Sequence, residues 1–273
     1  MPLRLPHSFP HVVALIAALF ATPSGAADES APGCIPPVAR AAPRIMLAAV
    51  TPKPGPEELA ITFVGHATFL IESPGGIRVA TDYNDYIRPA VTPEIATMNR
   101  AHSTHNSTRP DPGIAHLLRG WNPAGGVARH DVSMGDMRVR NVPTNIREWG
   151  GSGTDYGGNS IFIMEAAGLC VAHLGHLHHT LNPDQLIRMG KIDVLLVPVD
   201  GTWTLDLDGM VEVIESIGPT VVIPMHYFGT ATLERFLAKM SEKHDIVREE
   251  RPSIVVSRTS LPARPTVRVL PGR

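Results

Sequence analysis

The chain has 273 residues, a formal net charge of -2 and 43% apolar residues. Acids and bases are mixed along it, with neither a basic block nor an acidic tail, which argues against nucleic acid as a partner. Its 26 prolines and 24 glycines predict many turns and short elements rather than long helices.

The N-terminus carries the three regions of a signal peptide over residues 1–27. Arg4 supplies a positive start, residues 12–21 an uncharged apolar run, and Ser24-Gly25-Ala26-Ala27 the small residues that a signal peptidase reads. The run falls short of the roughly 20 residues that span a bilayer. The mature chain is therefore expected in the periplasm or outside the cell, free of the membrane. Residues 28–57 read as a Pro-rich leader, 58–260 as one domain and 261–273 as a poorly ordered tail. Cys34 lies in the leader and Cys170 in an apolar strand, so a disulfide between them depends on geometry that spacing does not fix.

Residues 59–64, 67–72 and 77–81 read as three strands of a meander, with Ser73-Pro74-Gly75-Gly76 as a turn. Residues 95–98 form another apolar strand. Pro110-Asp111-Pro112 ahead of 113–119 predicts a capped short helix. Strands are expected at 127–132 and 137–142, a Gly-rich loop at 150–158, and a hairpin from 160–165 and 169–173. The last third alternates: a helix at 183–189 capped by Asn182, a buried strand at 192–197, and a helix at 207–217 stopped by Gly218-Pro219. A strand at 220–223, a helix at 232–240 and a strand at 254–257 follow. A meander and then β-α-β units predict an α/β fold with a mixed sheet flanked by helices.

Thirteen histidines stand out by where they fall. His66, His102, His105, His173, His176 and His226 each follow an apolar strand. Ligands of α/β sheets gather at one end of the strands, and imidazole is the commonest side chain to bind zinc, iron and similar ions. His116, His130 and His244 read as surface residues.

The run Val64-Gly65-His66-Ala67-Thr68-Phe69-Leu70-Ile71-Glu72, followed by Thr81-Asp82, resembles the opening of the metallo-β-lactamase superfamily. His173-Leu174-Gly175-His176-Leu177-His178-His179, residues 192–201 and Ile223-Pro224-Met225-His226-Tyr227 resemble later strands of its ascorbate-6-phosphate lactonase-like branch. The resemblance spans roughly residues 59–245. It implies a four-layer αββα sandwich with metal at the sheet edge, and hydrolysis of an ester, lactone, amide or phosphodiester by a metal-bound hydroxide.

The chain departs from the family's His-x-His-x-Asp-His motif. Aligning His105 with the last motif histidine puts Arg100 on the first, His102 on the second and Thr104 on the aspartate. Asn145 stands on the middle histidine and His176 on the bridging aspartate, while the final histidine, His226, is retained. Arginine has no lone pair to give and asparagine is a poor ligand. The resemblance thus implies one zinc ion, or iron or manganese, on His105, His176 and His226, with His102 as a fourth ligand or behind it. Asp82 and Asp200 are candidate catalytic groups; His66, Arg100, Asn145 and His179 are candidate substrate contacts. The expected function is a metal-dependent hydrolase of a small ester, lactone or phosphoester. The alternatives are a non-catalytic relative that binds a small anion or a partner, and an oxygen-using iron site. Oligomeric state is left open.

Overall fold

The computed structural model describes residues 52–148 and 153–272, and all of them belong to one compact unit. The expected signal peptide, the first part of the leader, Cys34 and Trp149 lie outside the described residues. No described helix is long and apolar enough to cross a membrane.

Two sheets face each other. The first holds β1 (Glu58–Gly65), β2 (Thr68–Glu72), β3 (Arg78–Ala80), β4 (Ile95–Met98) and β5 (His116–Arg119). The second begins with β6 (Asp131–Met134), β7 (Met137–Arg147), β8 (Thr154–Ala166) and β9 (Leu169–His173). After α1 (Pro183–Met189) the chain adds β10 (Val194–Pro198), α2 (Leu207–Ile217), β11 (Val221–Met225), α3 (Thr230–Met240) and β12 (Asp245–Arg248). Then β13 (Ser253–Ser257) returns to the first sheet and β14 (Thr266–Val269) to the second. The orders are β13-β1-β2-β3-β4-β5 and β12-β14-β11-β10-β9-β8-β7-β6.

Side-chain alternation explains the layers. Along β10, Val194 and Leu196 enter the core between the sheets, and Leu195 and Val197 enter a second core beneath the helices. A strand covered on both faces reads as a continuous apolar run, as Val194-Leu195-Leu196-Val197 does. Phe69, Phe162 and Met164 fill the space between the sheets, while Met210, Val213 and Phe236 close the helical layer. The outer face of the first sheet is covered, among the described residues, by Tyr83, Ile87, Ile114 and Trp121 from loops and turns. The two-sheet sandwich expected from the resemblance is present, but the described helices lie on the larger sheet, and loops stand where the expected four-layer αββα arrangement has its other helical layer.

The ends of α1 and α2 match the sequence reading, while α3 starts at Thr230, two residues before the expected 232. Asn182 accepts from the Gln185 amide while the Gln185 side chain returns to the Asn182 amide, a reciprocal cap. Asp206 caps α2, and Gly218 ends it in the left-handed conformation.

Three expectations are corrected. The segment after Pro112 is β5, not a helix. Asp111 accepts from the Gly113 amide to make a turn, and residues 116–119 then pair in parallel with β4. The described part of the Gly-rich segment is strand from Thr154 onward, because β8 starts there and pairs along β7. The expected loose tail contains β14, which lies between β11 and β12 and buries Val267 and Leu270.

Candidate functional site

Strand direction brings the site together. In the second sheet β9, β10 and β11 are mutually parallel, so their C-terminal ends share one edge. His176, Asp200 and His226 follow those ends. In the first sheet β2 runs antiparallel to both β1 and β3, and β3 is parallel to β4. The C-terminal ends of β1, β3 and β4 therefore also coincide, and His66, Asp82, His102 and His105 follow them. The His226 amide donates to the His66 carbonyl at 2.8 Å, joining the two rims.

The backbone is bent at these points. The described residues other than glycine with positive φ are His66 (52°), Asp82 (41°), Ala167 (51°) and His226 (54°). Three of the four carry the site. That conformation costs a side-chain-bearing residue about 1–2 kcal/mol, and such strain collects at functional positions.

His66, His102, His105 and His226 each bring one potential ligand atom within 4.8 Å of all the others. The His105 and His226 Nε2 atoms are 3.1 Å apart. His105 Nδ1 contacts the Asp82 carboxylate, and His226 Nδ1 lies 3.1 Å from Asp200 Oδ1. With the Nδ1 protons directed at carboxylates, both Nε2 lone pairs point at each other. Two lone pairs at that distance repel unless a cation or proton lies between them. Donor atoms around a tetrahedral zinc, with bonds of about 2.0–2.1 Å, lie about 3.3 Å apart, so the pair fits such an ion. Carboxylates behind ligand histidines are the usual arrangement at metal sites.

The electrostatics agree. Burial, and then neighbouring His226 and His102, push the His66 imidazole down to about 3. Burial likewise lowers His102 and carries His105 well below the usual imidazole range. These rings are neutral near pH 7, the form that donates to a metal. Burial pushes Asp82 up to about 6. Burial acts the same way on Asp200, but hydrogen bonds from His226, Thr204 and the Thr202 amide outweigh it and hold that carboxyl below the usual range.

Several expected roles change. His66 belongs to the four-imidazole cluster rather than to the substrate mouth alone. His176, an expected ligand, is outside that group of four; its Nε2 lies 3.1 Å from His102 Nε2. Asp82 and Asp200 sit behind the imidazoles, buried, where they orient rings instead of facing substrate. The Asn145 side chain accepts from the Gly157 amide and is committed to the β7–β8 backbone. His179 is spent as well: Nε2 accepts from the Asn145 amide and Nδ1 donates to the Thr180 carbonyl. Arg100 does line the neighbouring cavity, but pairs with Asp155 at 3.3 Å.

That cavity, about 690 Å³, opens beside His102 and His176 and is lined also by Ile146, Arg147, His178 and Trp203. Arg147 and the asparagines that hold the site escaped the sequence reading. Asn99 donates to Asp82 Oδ1 and accepts from the Ser160 amide; Asn159 Oδ1 accepts from the His176 amide. The one signal for them was Gly175. A Cβ there would meet Asn99 Nδ2 at 2.3 Å and Asn159 Oδ1 at 2.4 Å, and φ is +61°.

Comparison with known proteins finds metal-dependent hydrolases. A metal-dependent hydrolase of the UPF0173 group from Thermoplasma acidophilum is 25% identical over 191 residues, covering 63% of this chain and 84% of that protein. A relative of the same name from Carboxydothermus hydrogenoformans is 26% identical, covering 62% and 84%. The crystal structure of a candidate zinc-dependent hydrolase from Thermotoga maritima superposes with a TM-score of 0.58 at 28% identity, covering 79% of this chain and 100% of that one. Residues 60–226 match the Beta-lactamase superfamily domain. That match takes in more than half of the 273 residues, and the protein belongs to the metallo-β-lactamase superfamily.

Proposed function

We propose that the protein hydrolyses a small ester, lactone or phosphoester with one bound metal ion, zinc before iron or manganese, held by His66, His102, His105 and His226. The observation that carries this reading is the pair of facing Nε2 atoms 3.1 Å apart, each on an imidazole backed by a buried carboxylate. An all-imidazole donor set suits zinc, copper, iron or nickel better than harder ions. When bound, such an ion lowers the pKa of a coordinated water and polarises a carbonyl or phosphoryl oxygen. Asp82 and Asp200 fix which nitrogen of His105 and of His226 faces the centre. Ile146 and Trp203 give the neighbouring cavity apolar walls, and its two arginines, Arg100 and Arg147, are matched by Glu148 and Asp155, the latter 3.3 Å from Arg100. That lining suits a small substrate with an apolar body and a polar carbonyl or phosphoryl group. Hydrolysis places the hydroxyl of water on the acyl carbon or phosphorus and its proton on the leaving alcohol oxygen. The likeness of residues 173–181 to the lactonase-like branch is the reason lactones are included. Export is part of the proposal and rests on the pattern of residues 1–27.

His226→Ala is expected to abolish turnover of esters or phosphoesters while circular dichroism stays unchanged. Zinc is expected to raise the wild-type Tm and not that of His226→Ala, since an ion bound only by the folded state stabilises it. Equal turnover in the variant would contradict the assignment. A non-catalytic, anion-binding relative is favoured by one observation: Arg100 and Asn145 replace two histidines, and the Asn145 side chain is turned to the Gly157 amide. Turnover by the wild type decides against that reading.

A further inference from the structure

The resemblance places His176 where the superfamily has a bridging aspartate, a group that accepts hydrogen bonds and binds metal. The hydrogen bonds around His176 give it the opposite character. Arg147 offers two groups that can only donate, its backbone N–H and its Nε–H. They reach His178 Nδ1 at 2.9 and 3.1 Å. His178 Nδ1 is therefore an acceptor, and the proton of the neutral ring is on Nε2. Burial, and then Arg147, push this imidazole down to about 4, in keeping with a neutral ring.

His178 Nε2 lies 2.5 Å from His176 Nδ1, so it donates there. That makes His176 Nδ1 an acceptor and puts the His176 proton on Nε2. The Nε2–H faces His102 Nε2 at 3.1 Å. His102 in turn directs its Nδ1–H to Thr104 Oγ1 at 2.8 Å, and the Thr104 hydroxyl donates to His66 Nε2 at 2.9 Å. One obligate donor at the cavity wall thus sets four rings in sequence. His102 and His66 keep Nε2 free of a proton, as ligands must. His176 alone among the rings at the centre presents an N–H.

We infer that His176 is an N–H donor to the substrate, standing where the superfamily has a metal-binding carboxylate, and that Arg147 and His178 are the positioning residues that fix this polarity. The inference rests on the hydrolase reading for its substrate and on hydrogen-bond direction for the donor. His176 is 3% exposed and lines the cavity beside His102. Once His102 gives its lone pair to a cation, the His176 N–H lacks its acceptor at the cavity wall. A carbonyl or phosphoryl oxygen of the substrate supplies one. An N–H held at the place where charge develops on that oxygen contributes through preorganisation.

The test uses the full chain with 15N-labelled histidine, in which long-range proton–nitrogen correlations tell a protonated ring nitrogen from a bare one. His176→Gln identifies the His176 signals by their loss. The expected result is a protonated His176 Nε2 with and without zinc, and about one zinc per chain in wild type, His176→Gln and His176→Ala alike. In a turnover assay His176→Ala is expected to lower kcat by about 10²–10³-fold with KM little changed. His176→Gln, which keeps an N–H donor, restores part of the loss. A bare His176 Nε2 that shifts on adding zinc, or zinc lost from His176→Ala, would make His176 a ligand and overturn the inference. Absence of turnover in the wild type would remove the hydrolase reading and with it the substrate of the donor, while the proton position and zinc count, read without substrate, would still decide whether His176 is a ligand.

Discussion

Asp82 shows how much of the site rests on groups that touch no substrate. It is fully buried, accepts from Asn99 and contacts His105. Asp82→Asn would keep the shape and remove the charge that fixes the ring. Loss of such a supporting group typically weakens metal binding by about 10–100-fold, and zinc titration monitored by calorimetry should show a drop of that size. Unchanged affinity would mean that the carboxylate does not orient the ligand. Gly175 makes a second residue-scale prediction. Gly175→Ala has to place a Cβ against Asn99 and Asn159 at positive φ, and should cost about 1–3 kcal/mol in urea denaturation. The sequence reading found the histidines because imidazoles after apolar strands form a visible pattern. It set His66 at the site mouth and His176 among the ligands, whereas the fold groups His66 with His102, His105 and His226; which ring nitrogen faces inward depends on Arg147, Thr104 and the two carboxylates across long sequence separations.

At the scale of elements, β9, β10, α1 and α2 were legible: apolar runs, an Asn or Asp cap and a terminal glycine each have local causes. β5 was not, because Pro110-Asp111-Pro112 opens a turn as readily as a helix, and pairing with β4 decided between them. β14 was missed because Thr266-Val267-Arg268-Val269 is short and looks like a tail until β11 and β12 flank it. The β8–β9 hairpin turns through Ala167 (φ 51°) and Gly168 (φ 68°), a two-residue loop with both residues left-handed. Such turns favour Asn-Gly over Ala-Gly. Ala167→Asn should stabilise the protein by about 0.5–1 kcal/mol, seen as a higher urea midpoint with unchanged slope. A lower midpoint would place the cause of the turn elsewhere.

For the whole molecule, the two sheets matter chiefly because their C-terminal strand ends meet on one rim, where His105 and His226 are fully buried and His66 and His102 partly so. This has a consequence for pH. In the metal-free protein His66 titrates at about 3 and His178 at about 4, against 6.5 for an unfolded imidazole. Between those values the unfolded chain binds more protons, so stability falls as the pH drops below 6.5. Asp82, raised to about 6 from 3.8, acts in the opposite sense over its own window and offsets part of the loss. His102, His105 and His176 are also lowered. The urea midpoint should therefore decline from pH 7 to pH 4.5, more steeply with zinc present because protons then compete with the ion. A flat profile would mean the rings are not held neutral.

The central claim is that four imidazoles of this divergent superfamily member hold one metal ion. Its most direct test is the metal content of the protein, purified without chelator or a polyhistidine tag, beside the His105→Ala/His226→Ala double variant. About one zinc or iron per chain is expected in the wild type, and none in a variant that remains folded. No metal in either protein, with a wild-type Tm unmoved by added zinc, would contradict it.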